Sequence, residues 1–215
     1  DLHSFPTRRS SDLWSYGYGG FNSGIEPGYQ GFYAPLLEKG IVVVRAGIRG
    51  GDEYGEAWHR NGMLGKKQNT FDDFNSCVEW LIKEKYTNPQ KVVAMGGSNG
   101  GLLMGAIATQ RPDLYKAIVC QVPLLDMLRY HKFLIARYWI PEYGSSDDPE
   151  QFGWILPYSP YHNIKAGVSL PTMLVTTGAN DSRVDPLHAK KFVAAVQNNP
   201  GQSSKIGRAS CRERV

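Results

Sequence analysis

The segment from Lys91 to Thr109 constrains the fold most tightly. Lys91 to Met95 (KVVAM) is a short apolar run, Gly96 to Gly101 (GGSNGG) follows at once, and an apolar helical pattern runs from Leu102 to about Thr109. A buried strand that turns through glycines directly into an apolar helix is the unit from which parallel sheets are wound, because parallel strands need a crossover that packs back on the sheet. The same period recurs along the chain. Ile41 to Ala46 (IVVVRA) is β-branched and apolar, as in a strand buried on both faces, and a glycine-rich turn, Gly47 to Gly55, follows it. From Thr70 to Glu84, the residues Phe71, Phe74, Val78, Leu81 and Ile82 fall on one helical stripe, with Thr70 and Asp73 at capping-box spacing. Asn88-Pro89 marks a turn, and Arg111-Pro112-Asp113 closes the helix begun at Leu102. Ala117 to Val122 and Thr172 to Thr177 read as further buried strands, and Pro186 to Gln197 as a last amphipathic helix. This alternation predicts an α/β fold with a mostly parallel sheet flanked by helices. Asp126 to Tyr161 interrupts it with Trp, Tyr, Phe and Pro, a composition suited to a cap or pocket wall.

The two ends read differently. Asp1 to Leu13 (DLHSFPTRRSSDL) can be encoded by a DNA that resembles a common sequencing-library adapter. The reverse complement of that DNA, read ATC GGA AGA GCG TCG TGT AGG GAA AGA GTG, encodes Ile206 to Val215 (IGRASCRERV). Residues 1–13 and 206–215 are therefore expected to be adapter-derived and to lie outside the fold. The remaining 192 residues, 14–205, carry 19 basic and 17 acidic side chains, so the +4 of the whole chain falls to +2. Those charges are scattered, with no basic run interleaved with aromatics, which argues against a nucleic-acid partner. No run approaches about eighteen apolar residues, so no membrane-spanning helix is expected. Cys77, Cys120 and Cys211 have neither metal-ligand spacing nor an even-numbered disulfide framework.

The chemistry points to Gly96-Gly97-Ser98-Asn99-Gly100, a G-x-S-x-G between a buried strand and an apolar helix. A serine at such a turn is held in a strained conformation that projects its hydroxyl, and the helix N-terminus behind it offers amides to a developing oxyanion. A phosphate loop is the competing reading, but no Walker lysine follows. A nucleophilic serine needs an acid and a histidine later in the chain. Asp181 stands in the loop Ala179 to Arg183, at the carboxyl end of the strand ending near Thr177, where sites of open parallel sheets lie. Asp185 competes, although Asp185-Pro186 also fits a helix cap. His188 is the one histidine after Asp181, and its place inside a helical pattern suits packing better than base catalysis. The catalytic histidine is thus expected beyond this chain.

These residues, with many other blocks in one order, resemble the prolyl oligopeptidase family, in particular its prolyl endopeptidase branch. The blocks include Tyr16 to Asn22, Ile48 to Gly51, Gly55 to His59, Lys67 to Phe74, Gly96 to Gly101, Gln110 to Leu114, Asp126 to Lys132, Tyr158 to Pro160 and Asp181 to Val184. The resemblance implies an α/β-hydrolase fold, with residues 14–205 as a partial peptidase catalytic domain. It implies Ser98 as nucleophile, Asp181 as the triad acid, and an oxyanion hole from the Tyr18 hydroxyl and the Asn99 amide. It further implies that Trp139 stacks on a substrate proline within an apolar pocket of Phe21, Leu124, Ile135, Tyr143 and Val184, and that Arg183 binds a substrate carbonyl. The family commonly has a small or branched residue where Leu124 stands, and a His-Asp-Asp-type stretch where Asn180-Asp181-Ser182 stands. A β-propeller upstream is implied as a missing partner domain.

The expected function is hydrolysis of short proline-containing peptides on the carboxyl side of proline, by a serine-type endopeptidase that is inactive in this chain alone. A related oligopeptidase or acyl-peptide hydrolase of other specificity, and a non-catalytic hydrolase-like binding domain, are the alternatives. No metal or organic cofactor is implied, since acyl-enzyme chemistry uses side chains and water. Two cysteines without a pattern lean toward the cytoplasm, and a periplasmic or secreted location stays open.

Overall fold

A computed structural model describes residues 10–211; residues 1–9, His3 among them, and 212–215 lie outside the described residues. In chain order the elements are β1 (Leu13–Gly17), α1 (Ala34–Glu38), β2 (Val42–Ala46), α2 (Glu56–Arg60), α3 (Gln68–Lys83), β3 (Val92–Gly97), α4 (Asn99–Gln110), β4 (Ala117–Gln121), α5 (Ile140–Tyr143), α6 (Pro149–Ile155), β5 (Thr172–Gly178), α7 (Leu187–Gln197) and β6 (Ile206–Cys211). The strands form one sheet in the order β2-β1-β3-β4-β5-β6, and every neighbouring pair is parallel. The α/β architecture expected from the alternation is therefore present.

Burial follows the patterns that motivated each element. Phe71, Phe74, Val78 and Leu81 are buried along one stripe of α3, and Ile82 packs against the same core. Helix α4 is buried from Asn99 to Thr109, as expected of a helix apolar all round. Strand β2 departs from expectation: Val42, Val43 and Val44 are only partly buried, because β2 is the sheet's edge rather than an interior strand. The aromatic segment after Asp126 forms no strand. It folds into 3-10 turns at Tyr130–Lys132 and Ala136–Trp139, then α5 and α6, and it supplies Tyr130, Tyr143 and Tyr158 to the core.

Local expectations at three places are corrected. Thr70 does not cap α3, which begins at Gln68; its hydroxyl donates to the carbonyls of Arg49 (2.8 Å) and Gly62 (3.2 Å). Asp73 instead accepts from the Arg49 amide at 3.0 Å and from its guanidinium at 2.7 and 2.5 Å, a charge-assisted fork that outcompetes a cap. Helix α4 starts at Asn99, three residues before the apolar pattern. Finally, neither end lies wholly outside the fold. Leu13 is 1% exposed and pairs with Val42 and Val92, and Ile206–Cys211 pairs in parallel with β5. The physical reason is that a sheet edge presents unpaired amides and carbonyls to any extended segment, whatever DNA encodes it. The eight residues between α7 and β6 are enough to return the chain to that edge.

The elbow between β3 and α4 is a point of close backbone approach. A Cβ at Gly96 would stand 2.4 Å from the Gly100 carbonyl oxygen and 3.0 Å from that of Gly17. Both obstacles are backbone, so they cannot turn away. Gly96→Ala is expected to lower stability by about 1–3 kcal/mol as an overpacked site, read as a lower denaturant midpoint at unchanged slope. A midpoint equal to that of the parent would contradict the close approach.

Candidate active site

Ser98 sits between β3 and α4 with φ 57° and ψ −117°, a conformation that side-chain-bearing residues rarely adopt. It is held from both sides: its amide donates to the Gln121 carbonyl at 3.0 Å, and its carbonyl accepts from Gly101 (2.9 Å) and Leu102 (3.1 Å). Because β3 lies inside the sheet, the turn points Ser98 out of the carboxyl edge, beside the end of β1. Asn99, the first residue of α4, has an amide without a carbonyl one turn earlier in the helix.

Tyr18 follows β1 and reaches the same place. Its side chain and that of Ser98 line the same cavity. Burial raises the phenol's pKa above its ordinary 10, with smaller contributions from Tyr16 and Glu142, while Ser98 and Arg183 pull it down. The group is thus a protonated donor at neutral pH. The Asn99 side chain holds the Tyr18 backbone, donating to its carbonyl at 2.6 Å, and accepts from the Tyr143 hydroxyl at 2.8 Å.

Tyr18, Phe21, Ser98, Leu124, Trp139, Tyr143 and Arg183 line one cavity of 220 Å3. This is below the roughly 300–1,000 Å3 of drug-sized ligand sites and suits a single compact side chain. Phe21 meets Tyr143 edge to face at 5.5 Å, and Tyr143 meets Tyr130 likewise at 5.3 Å, so the apolar wall is rigid. Four sequence-predicted residues stand outside this lining: Asn99 and Asp181, Ile135 exposed at the base of the Ala136–Trp139 turn, and Val184 buried beyond Arg183. Asp181 lies just past the carboxyl end of β5. Its Oδ1 accepts from the amides of Arg183 (2.9 Å) and Val184 (3.0 Å), which fixes one oxygen and leaves Oδ2 as the one able to orient a base. Asp185 accepts from the Leu187 amide at 2.8 Å, the capping role that competed with a catalytic one.

None of the four described histidines lines the cavity. His188 is 1% exposed, its Nδ1 accepts from the amides of Leu125 (3.2 Å) and Asp126 (3.0 Å), and Phe133 packs on its ring edge to face. His59 pairs with Glu142, His131 with Asp147, and His162 with Ser159 and Asp126. Sequence reasoning assigned no role to Glu142 or Lys67, whose buried pair lies behind the cavity. Lys67 fell within a resembling block but carried no local pattern of its own.

The prolyl oligopeptidase family profile matches residues 29–207, which is most of the chain. The chain belongs to that family. It is 46% identical over 210 residues to the prolyl oligopeptidase ophP of Omphalotus olearius, covering 92% of this chain and 28% of that protein. It is 45% identical to the prolyl endopeptidase of Dictyostelium discoideum, covering 91% of this chain and 26% of the relative. Among solved structures, a prolyl endopeptidase studied for inter-domain dynamics superposes with a TM-score of 0.93 at 48% identity, over 97% of this chain and 31% of its own. Prolyl oligopeptidase B of Galerina marginata, bound to a 35-residue hydrolysis and macrocyclization substrate, does so at 0.92 and 37% identity, over 95% and 29%. The fold is that of their α/β-hydrolase domains, and the chain spans about a quarter to a third of these relatives.

Burial pushes the His188 pKa down from 6.5 to about 4, against a smaller upward pull from Asp126 and Asp185. Above pH 6.5 both folded and unfolded states keep the ring neutral, and its contribution to stability is complete. As the pH falls from 6.5 toward 4 the unfolded state takes a proton that the folded state refuses, so up to about 3 kcal/mol is lost. His188→Gln is expected to flatten this part of the profile, measured as denaturant midpoints at pH 7 and pH 4.5. An undiminished dependence in the variant would show that other groups carry it.

Proposed function

We propose that this chain is a partial catalytic domain of a serine-type peptidase that cleaves short peptides after proline through an acyl-enzyme. The observation that carries this reading is the convergence of Ser98, the Tyr18 hydroxyl and an aromatic slot containing Trp139 on one small cavity. In the proposed reaction the Ser98 oxygen attacks the scissile carbonyl, forming a C–O bond while its proton passes to a histidine. The carbonyl oxygen becomes an oxyanion, met by the Tyr18 hydroxyl and the Asn99 amide. Collapse breaks the C–N bond, the amine leaves with the proton from the histidine, and water then releases the acyl group by the same steps in reverse order.

Asp181, with one oxygen fixed by backbone amides, would hold that histidine in its productive orientation. The imidazole is proposed to come from the part of the protein outside this chain. Relatives three to four times longer support a further domain, for which a β-propeller that screens the site is the proposed form. Phe21, Leu124, Trp139 and Tyr143 bring no carboxylate to the slot, which favours proline over a basic side chain and over the preferences of other oligopeptidases.

The test uses the full-length protein and a fluorogenic peptide with proline before the cleaved bond. Ser98→Ala is expected to abolish turnover, and Tyr18→Phe to lower kcat by about 10²–10³ with folding unchanged. Unaffected kcat in Tyr18→Phe would remove that residue from the oxyanion hole. The 215-residue chain assayed alone is expected to show no Ser98-dependent turnover. Robust turnover would mean that a resident histidine is the base.

A further inference from the structure

Two walls of the cavity belong to distant parts of the chain. One is the loop after β1, which carries Tyr18 and Phe21; the other is the Trp139–Tyr143 segment with α5. Between them, outside the lining, lies a buried ion pair. Lys67 Nζ stands 3.3 Å from Glu142 Oε1, with side chains 0% and 5% exposed. The same ammonium donates to the Gly19 carbonyl at 2.9 Å and lies 5.4 Å from the centre of the Tyr143 ring. The same carboxylate oxygen accepts from the Phe21 amide at 3.0 Å, while Oε2 pairs with His59 Nε2 at 2.9 Å. Residues on both sides of Gly20 are thus gripped by side chains from the start of α3 and from α5.

The loop needs such a grip. Gly19, Phe21 and Asn22 have φ of 65°, 57° and 54°, and the two non-glycines cost free energy there that only surrounding contacts can offset. A buried pair is a poor way to gain stability, since desolvating both charges consumes most of their attraction. Burial indeed pulls the Lys67 pKa down, with Glu142 opposing. What the pair does supply is a fixed geometry between two elements that also meet through the rings of Phe21 and Tyr143 and through Asn99, which holds both the Tyr18 carbonyl and the Tyr143 hydroxyl.

We propose that Lys67 and Glu142 are positioning residues, locking the Tyr18–Phe21 loop to the Trp139–Tyr143 wall and so setting the width of the slot that selects proline. This rests on the reading of Ser98 as nucleophile and of the slot as a proline site. Neither residue touches the cavity itself; both act through Gly19, Phe21 and Tyr143.

The experiment measures kcat/KM in the full-length protein for two fluorogenic peptides that differ only in proline or alanine before the cleaved bond. The variants are Lys67→Met, Glu142→Gln and the double substitution, which leaves no lone buried charge and is the decisive one if a single variant fails to fold. The proline-to-alanine ratio does not depend on how much enzyme is folded, so a purely structural role would not move it. The ratio is expected to fall by between about tenfold and about a hundredfold, as for a reacting group misplaced by a fraction of an ångström to an ångström. A Ser98-dependent enzyme whose double variant folds and keeps the parental ratio overturns this inference alone. Turnover that survives Ser98→Ala overturns the underlying reading and this one with it.

Discussion

The backbone of Ser98 is the constraint on which the site depends. A residue with a side chain at φ 57° and ψ −117° is strained by about 1–3 kcal/mol, and it persists because both of its neighbours are fixed. Strand β3 lies between β1 and β4, and α4 is buried along almost its whole length. The turn between them can close only where Gly96 and Gly100 allow it to approach the Gly17 carbonyl. That approach brings the end of β1, and with it Tyr18, beside Ser98. The hydrogen bond from Asn99 to the Tyr18 carbonyl then turns a sheet-level adjacency into a side-chain-level one.

Geometry of hydrogen bonds does not by itself identify chemistry. Ser159, His162 and Asp126 form a second line of serine, histidine and carboxylate, with 2.8 Å between Ser159 Oγ and His162 Nδ1 and 3.7 Å between His162 Nε2 and Asp126 Oδ1. Ser159 is fully buried and accepts from the Met127 amide, and Asp126 is paired with Lys191 and Arg129. No substrate can reach that hydroxyl, so the line ties the start of the aromatic segment to its end. Ser98 differs in facing a cavity, and in having a backbone whose strain has no structural return of its own.

Much of this arrangement was legible in the sequence because it is local. An apolar strand, a glycine cluster and an apolar helix are contiguous, so the elbow and the place of Asp181 after β5 followed from short-range patterns. Interactions between distant residues were not legible. Asp73 matched a capping box until Arg49, 24 residues earlier, took its carboxylate. The Lys67–Glu142 pair spans 75 residues and no spacing rule reaches it. The pairing of the last segment was not legible for another reason: the ends were read from the DNA that can encode them, which says nothing of backbone pairing, whereas β5 pairs with Ile206–Cys211 through backbone groups that every residue but proline carries.

The central claim is that the elbow makes Ser98 a nucleophile. Its most direct test is to treat the full-length protein with a serine-directed fluorophosphonate and locate the adduct by peptide mass spectrometry. One equivalent on the peptide containing Ser98, slowed in the Asp181→Asn variant, is the predicted result. Stoichiometric labelling of another residue, or a Ser98 no more reactive than the exposed serines of the same chain, would contradict it.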